Sequence, residues 1–73
     1  MPRGIIRHWN VQRAFGFIEQ SDDGVEIFAH VRQLASRDYV PTIGTPVEFD
    51  VAINERNNKP EARNIRVVHE GEG

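Results

Sequence analysis

Two neighbouring stretches of this chain alternate so strictly that the extended strand is the one conformation that suits both. In Arg13-Ala14-Phe15-Gly16-Phe17-Ile18-Glu19, Arg13, Phe15, Phe17 and Glu19 fall on one face, with Ala14, Gly16 and Ile18 on the other. Val25-Glu26-Ile27-Phe28-Ala29-His30-Val31 repeats the pattern, setting Glu26, Phe28 and His30 against Val25, Ile27, Ala29 and Val31. Between them Ser21-Asp22-Asp23-Gly24 reads as a hairpin turn, with Gly24 free to take a positive φ. The aliphatic sets are the natural core face, because they pack without polar handles. That leaves Phe15, Phe17 and Phe28 on a face shared with charges. Burying this face would also bury Arg13, Glu19 and Glu26, at several kcal/mol for each unpaired charge. Exposure is therefore expected, and an exposed apolar cluster on a small chain marks an interaction site.

The rest of the chain adds strands and no long helix. Gly4-Ile5-Ile6-Arg7-His8-Trp9 is β-branched and aromatic. Val47-Glu48-Phe49-Asp50-Val51-Ala52-Ile53 alternates, with Val47, Phe49, Val51 and Ile53 expected inward, and Ala62 to Val68 supplies a last strand. Val31 to Ala35 has the spacing of one helical or 3₁₀ turn, and Asn54 to Pro60 reads as a turn-rich, mobile connection. Five strands in one small all-β domain imply a closed or nearly closed barrel, which leaves no strand edge bare. The domain is expected to cover residues 1–69, with residues 70–73 as an acidic, glycine-containing tail or linker stub.

Composition removes several classes of function. With 73 residues, a pocket of several hundred Å³ lacks walls, which argues against a metabolic enzyme. No cysteine is present, so disulfide scaffolds, thiol chemistry and cysteine-built zinc sites are excluded. His8, His30 and His69 lack the spaced carboxylates of a metal site, and no nucleophile–base pair stands out, so no catalytic residue, metal or cofactor is expected. No segment approaches the ~18 apolar residues of a membrane span, and the start lacks the apolar stretch of a secretory signal, which makes the cytoplasm the expected compartment. The net charge of −2 is unusual for a partner of nucleic acid. Residues 1–37 carry five cations and four anions, so the first half is the less repulsive to phosphate.

Arg13-Ala14-Phe15-Gly16-Phe17-Ile18 resembles the ribonucleoprotein motif K/R-G-F/Y-G/A-F-V, shared by RNA-recognition-motif and cold-shock domains. The former need two full helices, for which this chain has no room. The cold-shock resemblance runs along nearly the whole chain. Gly4 to Asn10 is similar to that family's G-x-V-K-W-F-N, and Ile27-Phe28-Ala29-His30 to its V-F-V-H. Gly44 to Phe49 is similar to G-x-x-V-x-F, and Lys59 to Ile65 to K-G-P-x-A-x-N-V. The resemblance implies a five-stranded antiparallel barrel of the oligonucleotide-binding type that binds single-stranded RNA or DNA with low sequence specificity and acts as an RNA chaperone. A monomer or weak dimer is expected, with no membrane contact from this chain. Phe15, Phe17, Phe28 and His30 would form the stacking platform, with His8 and Trp9 beside it. Arg7, Arg13 and Lys59 would meet phosphates, and Tyr39 is the nearest candidate for a further loop aromatic. Three neutralised phosphates would give a log–log salt slope near about −2.

Four departures from the family pattern stand out. His8 replaces the first aromatic, usually tryptophan, and Trp9 the phenylalanine after it. Ala14 stands for a glycine, Val31 removes one stacking ring, and the long loop differs in length. Plain alternation sets Trp9 beside Arg7 and His8 opposite, so which ring reaches a ligand depends on local strand geometry. The departures imply weaker or shorter-footprint binding. An alternative use of the same aromatic face is docking on a protein partner or a second copy, which the net negative charge favours slightly.

Overall fold

Ile18 and Ile27 face each other across the hairpin that turns at Gly24, each about 1–2% exposed, so the aliphatic side of the alternation is indeed the inside. The computed structural model describes residues 2–35 and 42–68. Five strands make up the architecture: β1 (Arg3–Asn10), β2 (Phe15–Gln20), β3 (Glu26–His30), β4 (Pro46–Asn54) and β5 (Lys59–Val67). A 3₁₀ turn, Val31–Gln33, follows β3. The strands close into a barrel in the order β1-β2-β3-β5-β4. The core is Ile6, Ile18, Ile27, Ala29, Leu34, Val47, Phe49, Ala62 and Ile65, with Trp9 and Val31 packed against it.

One pairing departs from the expected antiparallel order. β3 runs parallel to β5, through Phe28↔Glu61 and Ala29↔Ala62, while the other four pairings are antiparallel. Parallel neighbours need a long crossover, and the chain from the 3₁₀ turn through β4 provides it. Alternation along single strands carries no information about this step.

Local chemistry fixes the turns. Gly24 has φ +73°, Gly24 N–H donates to the Gln20 carbonyl (2.9 Å), and Val25 N–H to Asp23 Oδ1 (3.0 Å). Val25 is thereby held in the turn and is half exposed, so it leaves the core face expected for it. The β1–β2 turn is closed by Asn10. Its carbonyl accepts from Ala14 N–H (2.8 Å) and its Oδ1 from Arg13 N–H (3.0 Å). β2 therefore begins at Phe15 and leaves Arg13 on the turn. Ala14 is pulled to φ +62°, a region where an L side chain costs about 1–2 kcal/mol.

Two bulges set which side chains face in. On β1 the register jumps from Ile6↔Ile18 to His8↔Phe17, inserting Arg7 as an extra residue. On β5, Asn64 and Ile65 together oppose Phe49, with Asn64 at φ +53°. The β4–β5 connection is a hydrogen-bonded turn rather than an open loop. Asn58 N–H donates to the Asn54 carbonyl (2.7 Å), and Arg56 and Lys59 N–H donate to the Oδ1 atoms of Asn54 and Asn57.

The inward assignment of β4 holds for half its length. Val47 and Phe49 are fully buried, whereas Val51 is 44% and Ile53 53% exposed. Both still sit on the core side of the sheet, since Val51 pairs with Ala62. Beyond Phe49 the hairpin outruns β1, which pairs with β4 only as far as Glu48. Among the described residues no layer covers the apolar side there.

Candidate functional site

The outer side of the β2–β3 hairpin brings together the side chains that alternation placed opposite the core. Phe17 pairs with Phe28 and Phe15 with His30 across the two strands. The rings form one connected patch. Phe15 and Phe28 have centroids 5.5 Å apart, Phe17 and Phe28 6.0 Å, and Phe15 and Phe17 6.3 Å. Edge and tilted contacts dominate, the geometry preferred by aromatic quadrupoles. None of the three rings belongs to the core, and all are half-buried, each shielding its neighbours' edges. His30 continues the patch at 6.3 Å from Phe28. Its Nδ1 accepts from Arg32 N–H (3.1 Å), which fixes the imidazole plane.

The bulge at Arg7 decides between His8 and Trp9. With one residue inserted, His8 stays on the outer face and meets Phe17 edge-on at 6.3 Å. Trp9 turns the other way, pairs with Gly16 and packs against the core. Gly16 has no side chain because none fits. A Cβ there would overlap the His8 carbonyl oxygen and the Trp9 ring. Trp9 still borders a shallow depression on the outside together with His8, Phe15 and Phe17.

Charges surround the patch unevenly. At its far end Glu19 and Glu26 stand directly opposite one another, an unfavourable like-charge pair. Arg7 offsets it through Nε to Glu19 Oε1 (2.7 Å), and His8 Nε2 lies 3.6 Å from Glu26 Oε1. The Arg7 hydrogen bond and charge hold the Glu19 carboxyl below its usual value, and Glu19 raises Arg7 in return. Arg7, expected to meet phosphate, is thus countered within the protein. Arg13 and Lys59 are exposed and, among the described residues, have no ion-pair partner. Lys59 borders a groove against Phe17 and Phe28. Tyr39 lies outside the described residues.

One residue here escaped the sequence reading. Glu61, on β5 beside Phe28, is only 8% exposed. Its Oε1 accepts from Asn54 Nδ2 (2.7 Å) and its Oε2 from Arg63 Nε (3.2 Å). Nothing local in the sequence announces that β3 will bury it.

A small closed five-stranded barrel with aromatic rings on the outside of one hairpin defines an oligonucleotide-binding-type barrel. The comparisons agree and go further. The family described as 'Cold-shock' DNA-binding domain matches residues 2–68, and the chain belongs to this family of nucleic-acid-binding domains. It is similar to Cold shock protein ScoF of Streptomyces coelicolor, 32% identical over 66 residues that cover 89% of this chain and 96% of the relative. A Cold shock-like protein of Aquifex aeolicus is 30% identical over 69 residues, covering 93% and 96%. Among solved structures, drosophila Unr CSD456 superposes with a TM-score of 0.78 at 22% identity, over 99% of this chain and 28% of that longer one. At that identity the likeness concerns the fold. Among the described residues no helix is long and apolar enough to cross a membrane.

Proposed function

We propose that this domain binds single-stranded RNA or DNA by stacking unpaired bases on Phe15, Phe17 and Phe28, with His30 and His8 extending the surface at either end. The observation that carries the reading is the connected ring patch, held outside the core on two rigid paired strands. Every base has a π-face, so such a surface binds with modest sequence preference, each stacked base contributing about 1–3 kcal/mol. Paired bases offer no free face, so duplex is disfavoured. A protein that captures transient single strands in this way keeps RNA open, which is the work of an RNA chaperone.

Of the three cations expected to meet phosphate, Arg7 is occupied by Glu19, and Arg13 and Lys59 remain. These two contacts by themselves contribute about −1.4 to the salt slope, where three would give about −2. Trp9 borders the platform and reports its occupancy. Titrating the protein with oligo-pyrimidine and with duplex at two salt concentrations, following Trp9 fluorescence, is the test. Single strands bind and weaken with salt, while duplex binds far less. Binding that persists or strengthens at high salt would instead identify an apolar protein-docking face.

A further inference from the structure

Glu61 and its surroundings suggest a finer selectivity than stacking supplies. On the β5 side of Phe28 lies a groove of about 490 Å³, a volume in the range of small-ligand sites although it is open to solvent and not enclosed as a cleft. Phe28 and His30 form one wall, Arg32 and Arg56 stand at the rim, and Glu61 and Asn54 are in its lining. The components of a nucleotide have matching partners there: rings for a base, guanidinium groups for a phosphate, and a carboxylate for a base edge.

The Glu61 carboxylate is well prepared for that last task. A carboxylate offers about four acceptor positions, and Asn54 and Arg63 use one on each oxygen. Two acceptors therefore remain, on a side chain 11% exposed whose accessible part lies along the grooves beside Phe28. The two donors fix its orientation, so it meets a ligand without losing side-chain entropy. An acceptor with no donor of its own welcomes an amino group and repels a carbonyl.

We infer that this groove is a single-nucleotide subsite that selects a base bearing an exocyclic amino group, read by Glu61, over uracil or thymine. The inference rests on the stacking function proposed above and adds selectivity to it. Cytosine and uracil make the sharpest comparison, because their rings are nearly equal in size and stack alike. Cytosine presents its N4 amino group to the carboxylate. Uracil presents a carbonyl at that position, and its one ring donor lies between two carbonyl oxygens that approach the same negative charge.

The test measures affinity for hexamers of cytidine and of uridine, with wild-type protein and Glu61→Gln. Wild type binds the cytidine hexamer at least about fivefold more tightly, as one base-edge contact provides. Glu61→Gln, whose amide donates as well as accepts, brings the ratio to within twofold. A third hexamer built on 2-pyrimidinone, which lacks the amino group, removes the preference on the unaltered protein and so decides the matter even if Glu61→Gln folds poorly. Arg56→Gln lowers affinity for both natural hexamers equally and leaves their ratio unchanged. Equal binding of cytidine and uridine hexamers by wild type would overturn the subsite while leaving the stacking function in place. Failure of both hexamers to bind would overturn the stacking function itself.

Discussion

β2 and β4 read alike in the sequence and end differently in the barrel. Each alternates apolar and polar residues around phenylalanine, but Phe17 of β2 points outward and is half-buried among other rings, while Phe49 of β4 is sealed in the core. Within β4 the contrast recurs, since Val51 and Ile53 share the side of Phe49 and are exposed. Alternation says that a strand has two faces. Whether a face is covered depends on whether another strand lies over it.

The largest test of this contrast pairs two substitutions on one strand. Phe49→Ala should cost about 3–5 kcal/mol, comparable with the whole stability expected of a chain this size at ~0.05–0.15 kcal/mol per residue. Ile53→Thr, four residues on, should stay within about 0.5 kcal/mol. Chemical denaturation measures both, and similar costs would mean that the exposed half of β4 is covered in solution.

Phe17→Ala sharpens the comparison with β2. The fold should survive, but with some loss of stability, because Phe17 makes edge contacts with His8, Phe15 and Phe28, worth ~0.5–1.5 kcal/mol each beyond area burial. Affinity for oligo-pyrimidine should fall by about 1–3 kcal/mol. Unchanged affinity in a folded variant would remove the platform from the mechanism.

Ala14→Gly tests the turn that delivers β2. Glycine takes the positive φ at this position without steric cost, so the variant should gain about 1 kcal/mol, read as a higher denaturation midpoint. A loss would show that the Ala14 methyl makes contacts worth more than its strain.

The smallest effect concerns the platform's acidic end. Glu19 has a folded-state pKa below its ordinary value of 4.5, through the Arg7 hydrogen bond and charge. Its stabilising contribution is therefore complete above that value and fades as pH falls through the lowered one. The melting temperature of wild type relative to Glu19→Gln should decline over this acid range and stay level from pH 5 to 8. A difference that is flat in acid would mean the ion pair contributes nothing.

The legible parts of the sequence were those governed by a strand's own period. Phe15, Phe17 and Phe28 were placed on the outer face correctly because charges share that face and aliphatic residues hold the other. The turn at Gly24 was legible for the same local reason. The choice between His8 and Trp9 was not, because it depends on one inserted residue, and a bulge at Arg7 leaves no mark in the alternation. Val25, Val51 and Ile53 were expected inside and are exposed, because apolar character cannot say where a barrel stops. Glu61 was passed over because its burial comes from β3, distant in the chain and parallel to it.

That parallel seam also governs the order in which the molecule can assemble. Ala29 and Ala62 meet across a sequence separation of 33, and the Leu34–Ile65 bridge continues the same seam beyond them. Before β5 arrives, the first three strands form a meander whose aliphatic side faces water. Such long-range closure slows folding and makes it nearly all-or-none. A chain cut short of β5 should therefore yield no working fragment, because the rings on the outside are held in place only once the inside has been shut.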